Sequence, residues 1–221
     1  MSSVALQGNA SGSGAFVVAS PNSNSNRTLT LPDATDTLAG IAATQTLTNK
    51  TLTSPTITGA VVSSMASSVI TSGTAVASTS GTAILFSSIP SWVNRVTVMF
   101  SGVSTSGTAF VLIQLGSGSV TTTGYLSGGQ LQSGTQVNFT SSTSGFVIYY
   151  NTGTDTGYGS MVFNRVTGNT WVGNGYFYKG TTVATASAGG VSLGGALDRV
   201  NITTSNGTDT FDAGTINILY E

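Results

Sequence analysis

A five-residue repeat covers residues 46–65 and constrains the fold more than any other feature of the chain. Its second position always holds a branched apolar residue: Leu47, Leu52, Ile57 and Val62. A period of five matches neither the helical turn nor the two-residue alternation of a strand, and Pro55 disfavours a helix. One chain cannot bury so sparse a row, whereas parallel copies bring equivalent side chains together at each level. The repeat therefore predicts an extended shaft in which several copies intertwine.

The remaining composition predicts an all-β protein. Only 6% of residues are charged, yet 39% are hydrophobic and the mean hydropathy is +0.24, so the chain can fold. Thr, Val, Ile, Tyr and Phe favour strands, while Gly, Asn and Ser favour turns. From about residue 74, strand-like runs recur at roughly ten-residue intervals, as in sandwiches and barrels. They cover residues 83–86, 95–100, 110–115, 146–150, 160–166, 171–179, 182–186, 197–203 and 215–220.

Three regions follow from these patterns. Two apolar runs, residues 15–19 and 28–31, flank a polar turn and predict a β-hairpin within residues 1–40. Residues 41–73 form the predicted shaft. Residues 74–221 form the predicted distal domain, a jelly-roll-like β-sandwich.

Several functional classes lack a basis in this sequence. The net charge is -1 and the six basic residues are scattered, so we expect no nucleic-acid binding. We also expect no membrane insertion, because no apolar run approaches ~20 residues, and no signal peptide at the N-terminus. The chain has no histidine and no cysteine, which removes imidazole or thiolate metal sites and the usual catalytic triads. We therefore predict no metal site and no cofactor.

Carboxylates are the remaining candidates for catalysis, since glycoside hydrolysis needs two of them around one bond. Several lie in turn-like segments, where aspartate commonly fixes the turn. We therefore predict no catalytic residue and no enzymatic activity. The seven acids are Asp33, Asp36, Asp155, Asp198, Asp209, Asp212 and Glu221.

Aromatic residues in turn-rich segments are the candidates for recognition: Tyr125, Tyr149, Tyr150, Tyr158, Trp171, Tyr176 and Tyr178. The richest segment is residues 171–179, where the predicted receptor-binding residues are Trp171, Asn174, Tyr176, Tyr178 and Lys179. On a strand, Trp171 and Phe177 share one face, while Asn174, Tyr176 and Tyr178 share the other. One face must be core or subunit contact, so both roles stay open for each aromatic residue.

Four segments carry a resemblance to known proteins. They are GNASG at residues 8–12, NRTLTLPD at 26–33, QTLTNKTLTSPTI at 45–57 and FDAGTINILYE at 211–221. They resemble segments of bacteriophage tail-fibre and virion-fibre proteins. The resemblance implies an elongated homotrimer built into the virion, and the lack of a predicted signal peptide fits synthesis in the host cytoplasm. The resemblance also implies an N-terminal end attached to tail, baseplate or capsid proteins and a C-terminal domain that points outward.

Three functions fit this resemblance. The leading one is adhesion of the fibre to a glycan or lipopolysaccharide of the bacterial host surface. The second is decoration of the capsid, or a scaffold role at the baseplate, without receptor specificity. The third is a spike that degrades surface polysaccharide.

Overall fold

The computed structural model describes residues 11–13, 22, 24–26, 51, 53, 70–148, 153, 155–180 and 182–221. The chain divides into two units, Met1–Thr58 and Gly59–Glu221, and every strand described below belongs to the second. The predicted N-terminal hairpin and Tyr149 and Tyr150 lie outside the described residues. So do the shaft residues Leu47, Leu52, Ile57 and Val62.

The described residues contain fourteen strands and no helix, so the predicted all-β class is confirmed. No helix that could span a membrane occurs among them. The strands are β1 (Thr71–Ser72), β2 (Val76–Ala77), β3 (Ala83–Phe86), β4 (Arg95–Thr105), β5 (Val111–Ser117), β6 (Ser119–Val120), β7 (Leu126–Ser133), β8 (Gln136–Ser142), β9 (Phe146–Ile148), β10 (Gly157–Thr167), β11 (Thr170–Lys179), β12 (Val183–Ser192), β13 (Arg199–Thr204) and β14 (Phe211–Tyr220).

The strands form two antiparallel sheets. The large sheet has the order β1-β14-β4-β10-β11-β12-β7-β8, and β2 also pairs with β14. The small sheet has the order β3-β13-β5-β6, and β9 also pairs with β5. Strands distant in sequence are therefore neighbours, as where β4 lies between β14 and β10.

The face of the large sheet that carries the alternating apolar residues is the face that packs against the core. In β4, Val96, Val98 and Phe100 are buried while the intervening residues are more exposed, as the sequence predicts. The aromatic core crosses from one sheet to the other: the ring of Phe146 in β9 lies 4.8 Å from that of Phe163 in β10. One hydrophobic core thus joins both sheets in a sandwich-like arrangement.

Strands β7 and β8 were not predicted from the sequence, because they are rich in Ser, Gly and Gln and contain no apolar run. On β7 and β12, small residues such as Ser127 and Ser187 face the small sheet, so the backbone of β9 can come close to these two strands. The backbone N–H of Val147 donates to the hydroxyl of Ser127 (2.9 Å), and the hydroxyl of Ser187 donates to the Val147 carbonyl oxygen (2.6 Å). Buried hydrogen bonds therefore replace apolar side chains in holding β7 and β12 against the small sheet.

Candidate functional site

Strand β11 divides the predicted receptor-binding residues between two faces. Trp171 and Lys179 point inward and are each only 1% exposed. Asn174, Tyr176 and Tyr178 alternate with them and are exposed on the outer face of the large sheet. The predicted split of this strand into two faces is thus confirmed, and the outer face is the accessible one.

Burial gives Trp171 and Lys179 no surface to offer a partner. Trp171 belongs to the hydrophobic core, between the two sheets. Burial lowers the pKa of Lys179, and the negative charge of Asp155 partly opposes that effect. Both side chains therefore act within the fold, and only the other three predicted residues are available for recognition.

A row of side chains crosses four strands of the outer face from Tyr176. The strand register places Tyr176 opposite Ala186 of β12, Ala186 opposite Gln130 of β7, and Gln130 opposite Phe139 of β8. Tyr176 is 74% exposed and Phe139 is 75% exposed. Two aromatic side chains on non-adjacent strands therefore stand at the two ends of one row.

Between these aromatic side chains the surface is depressed. The depression has a volume of about 320 Å³ and is lined by Asn174, Tyr176, Phe139, Gln130 and the small residues between them. Its floor is low because Ala186, Ala188 and Gly128 have little or no side chain. An added Cβ at Gly128 would meet only the carbonyl oxygen of Thr140, at 3.7 Å, so the floor has room for a small side chain at this position.

The depression offers hydrogen-bonding groups but no charge. The side-chain amides of Gln130 and Asn174 make no hydrogen bond with any other residue in the described part of the chain. Each amide can both donate and accept. The only charged residues in β7, β8, β10, β11 and β12 are Arg165 and Lys179. Both occupy the inward side, since Arg165 is opposite the buried Trp171.

The other predicted aromatic residues have different positions. Tyr158 of β10 lies directly opposite Tyr178 and is exposed beside it, so these two are brought together at one end of the face. Tyr125 is buried, and its hydroxyl accepts a hydrogen bond from the backbone N–H of Leu115 (2.8 Å). Tyr125 is therefore a structural residue, and Tyr158 extends the exposed aromatic surface.

Sequence reasoning missed Phe139 and Gln130. Both lie in the polar, glycine-rich segment that gave no strand signal. One signal was nevertheless present: Phe139 is an isolated aromatic residue between Asn138 and Thr140. A single aromatic residue in a segment that is otherwise polar has few local apolar partners and is a candidate for a surface contact.

Two of the described acidic side chains, Asp198 and Asp209, form contacts at turns and strand ends. Asp198 pairs with Arg199 (2.7 Å), and this contact lowers the pKa of the Asp198 carboxyl. Asp209 accepts hydrogen bonds from the side chain of Asn206 (2.7 Å) and the backbone of Ala109 (2.9 Å), which lower its pKa. No cluster of three or more acidic residues close enough to hold a metal ion occurs in the described ranges.

Comparison with protein-family models gives no match to this chain, and comparisons with curated proteins and with solved structures give none either.

Proposed function

We propose that this protein is the subunit of a homotrimeric bacteriophage fibre that adheres to the bacterial host surface. Its N-terminal region attaches to tail, baseplate or capsid proteins of the virion. Its shaft intertwines with two other copies, and its distal domain is a jelly-roll-like sandwich that contacts the host. The protein is made in the host cytoplasm, acts by binding rather than catalysis, and requires no cofactor.

The observation that supports adhesion is the outer face of β10, β11, β12, β7 and β8. It exposes large aromatic and aliphatic side chains and contains no outward-facing charge. A soluble monomer rarely exposes a contiguous apolar surface of more than a few hundred Å² unless a partner covers it. A face of this kind on the domain that the fibre resemblance places outward is suited to contact with the host.

Multivalency supplies the mechanism by which weak contacts give firm attachment. Three distal domains in one fibre present three copies of the same face. Once one copy is bound, the others act at a high effective concentration, so avidity can exceed the single-site affinity by ~10²–10⁴. Because each contact is reversible, a particle can bind and leave several positions on the host surface before many contacts together hold it firmly.

The oligomeric state tests the shaft. Light scattering on the full chain should give a mass near three times 22.2 kDa. Leu52→Asp places a charge on the proposed axis and should reduce the mass to that of one chain, whereas Thr53→Ser should leave it unchanged. A monomeric wild-type chain would exclude the intertwined shaft.

Binding to whole bacteria tests adhesion. Fluorescently labelled full-length protein should bind at least one strain in a panel of intact bacteria. Tyr176→Ala and Phe139→Ala, which remove exposed aromatic side chains from the outer face, should reduce that binding. A trimer that binds no strain would instead support the decorating or scaffold role. Release of reducing sugar ends from bound cells would support a polysaccharide-degrading spike.

A further inference from the structure

The row from Tyr176 to Phe139 defines the length of a binding site. The two residues lie on β11 and β8, with β12 and β7 between them. Three strand spacings of ~4.8 Å separate their backbones by ~14 Å. The side chains between them are Ala186 and Gln130, so an elongated molecule could lie across the strands with an aromatic ring at each end.

The chemistry of this row matches a saccharide. Exposed aromatic faces contact the apolar C–H surfaces of sugar rings, whereas amide side chains bind their hydroxyl groups. Gln130 lies between the two aromatic residues, and Asn174 lines the same depression. Neither amide forms a hydrogen bond within the described residues, so both are available to sugar hydroxyls.

Because no charged side chain points outward from this face, an uncharged saccharide is a better ligand than an acidic one. An acidic polysaccharide requires cations to offset the loss of hydration around its carboxylates or phosphates. None of the residues that line the depression is charged, and Arg95 on β4, which neighbours β10, pairs with Glu221 at 2.8 Å. The depression itself therefore has nothing to neutralise an anion, and an uncharged chain is the better fit.

The depression is small compared with a protein interface. The row that lines it crosses four strands, ~14 Å at ~4.8 Å per strand spacing, whereas a stable protein interface covers about 800 Å² on each partner. A polysaccharide strand needs only the depression.

We propose that the depression between Tyr176 and Phe139 binds an uncharged polysaccharide strand of the bacterial surface, laid across β11, β12, β7 and β8. This proposal rests on the adhesive function proposed above and names its ligand class. Tyr176 and Phe139 stack on sugar rings at the two ends, and Gln130 binds hydroxyl groups between them.

A panel of immobilised bacterial polysaccharides tests the proposal. It contains neutral glucans, mannans and galactans and acidic polymers rich in uronic or sialic acid, and the probe is labelled full-length protein. We expect binding to neutral polymers that is equal at low and high salt, because no charge pair is there to be screened. Tyr176→Ala and Phe139→Ala should each weaken binding about tenfold through lost apolar contact. Tyr176→Phe, which keeps the ring, should bind nearly as well as the wild type.

Two substitutions on β12 that add the same volume at different positions distinguish a filled depression from a general disturbance of the strand. Ala186→Leu fills the floor and should abolish binding. Ala184→Leu adds the same volume two residues away, outside the depression, and should bind as the wild type does. Circular dichroism of both variants checks that the fold is retained.

Three results would overturn the proposal: binding to acidic polymers only, neutral binding that these variants leave unchanged, or a fall in oligomeric mass that accompanies their loss of binding. The last result would make the face a contact between copies of this chain. If the variants bind whole bacteria as well as the wild type does, only the assignment of the depression fails. If the wild type binds no bacteria at all, the adhesive function fails with it.

Discussion

Replacing Tyr125 with phenylalanine tests how the two sheets are held together next to the candidate site. Tyr125 immediately precedes β7 and is 3% exposed. Its ring packs edge-on against Phe146 of β9, with 5.4 Å between centroids. Its hydroxyl accepts from the backbone N–H of Leu115 (2.8 Å) and lies 3.0 Å from the carbonyl oxygen of Thr121. The substitution keeps the ring and removes only these hydrogen bonds.

The expected loss of stability at neutral pH comes mainly from Leu115. Its buried backbone N–H loses its hydrogen-bond acceptor in Tyr125→Phe, and an unsatisfied buried donor costs about 1–3 kcal/mol. The free energy of unfolding of the variant should therefore be lower by that amount. No cavity forms, since the ring is retained.

The same hydroxyl makes stability depend on alkaline pH. Burial raises the pKa of Tyr125 from 10.0 to about 12, against the opposing effect of the hydrogen bond from Leu115. The folded state thus holds the phenolic proton more tightly than the unfolded state. The stabilisation is complete below pH 10 and is lost as the pH rises from 10 to about 12. The wild type should lose up to ~1.4 kcal/mol per pH unit in this window, and about 3 kcal/mol in all.

Denaturant unfolding of both proteins, followed by far-UV circular dichroism from neutral pH to pH ~11, measures these quantities. The other tyrosines are common to both proteins, so the difference in unfolding free energy isolates Tyr125. We expect the wild type to be the more stable protein at pH 8, with a difference that narrows by ~1.4 kcal/mol by pH ~11. A difference that stays constant across this range would refute the pH argument. Equal stability at neutral pH would refute the role of the hydrogen bond to Leu115.

Three further predictions concern stability and are measured in the same way. Gly175→Ala should destabilise the fold by at least about 1–3 kcal/mol, because an added methyl group would clash with the carbonyl oxygen of Ser160 and lie 2.8 Å from the Cα of Met161, both in β10. Gly128→Ala, whose methyl group would make only an ordinary contact at 3.7 Å with Thr140, should cost far less. Ser187→Ala removes the buried hydrogen bond to β9 and should cost about 1–3 kcal/mol, whereas no loss would show that the bond is dispensable. Glu221→Gln breaks an exposed ion pair with Arg95 and should change stability by less than ~1 kcal/mol; a larger effect would contradict its exposure to solvent.

Local patterns were sufficient to predict the strands that contain apolar residues. β3 begins and ends where the sequence predicts, and β11 was predicted within one residue. These strands bury one face, so their sequences alternate and the alternation is visible without the structure. β7 and β8 were missed for the opposite reason: β7 packs inward through small residues and hydrogen bonds, and β8 is largely exposed.

The candidate site was predicted only in part. Asn174, Tyr176 and Tyr178 were predicted to share one face of a strand, and the structure confirms that grouping, because they are neighbours on β11. Phe139 was not connected to Tyr176, since their proximity depends on three pairings, β11 with β12, β12 with β7 and β7 with β8. The pairing of β12 with β7 joins residues far apart in the chain, and no local period records it.

Local patterns in residues 74–221 were enough to establish that this region is all-β and which side chains of each strand share a face, because the period of a strand is fixed by its backbone geometry. The sequence also contains the five-residue repeat on which the proposed shaft depends. Which face of β11 is exposed, and that Lys179 is buried on the other, became known only from the packing of the two sheets. The tertiary structure alone placed Phe139 across the depression from Tyr176. The physical reason is that alternation defines two faces but does not say which one the second sheet will cover; the packing of the whole domain makes that choice.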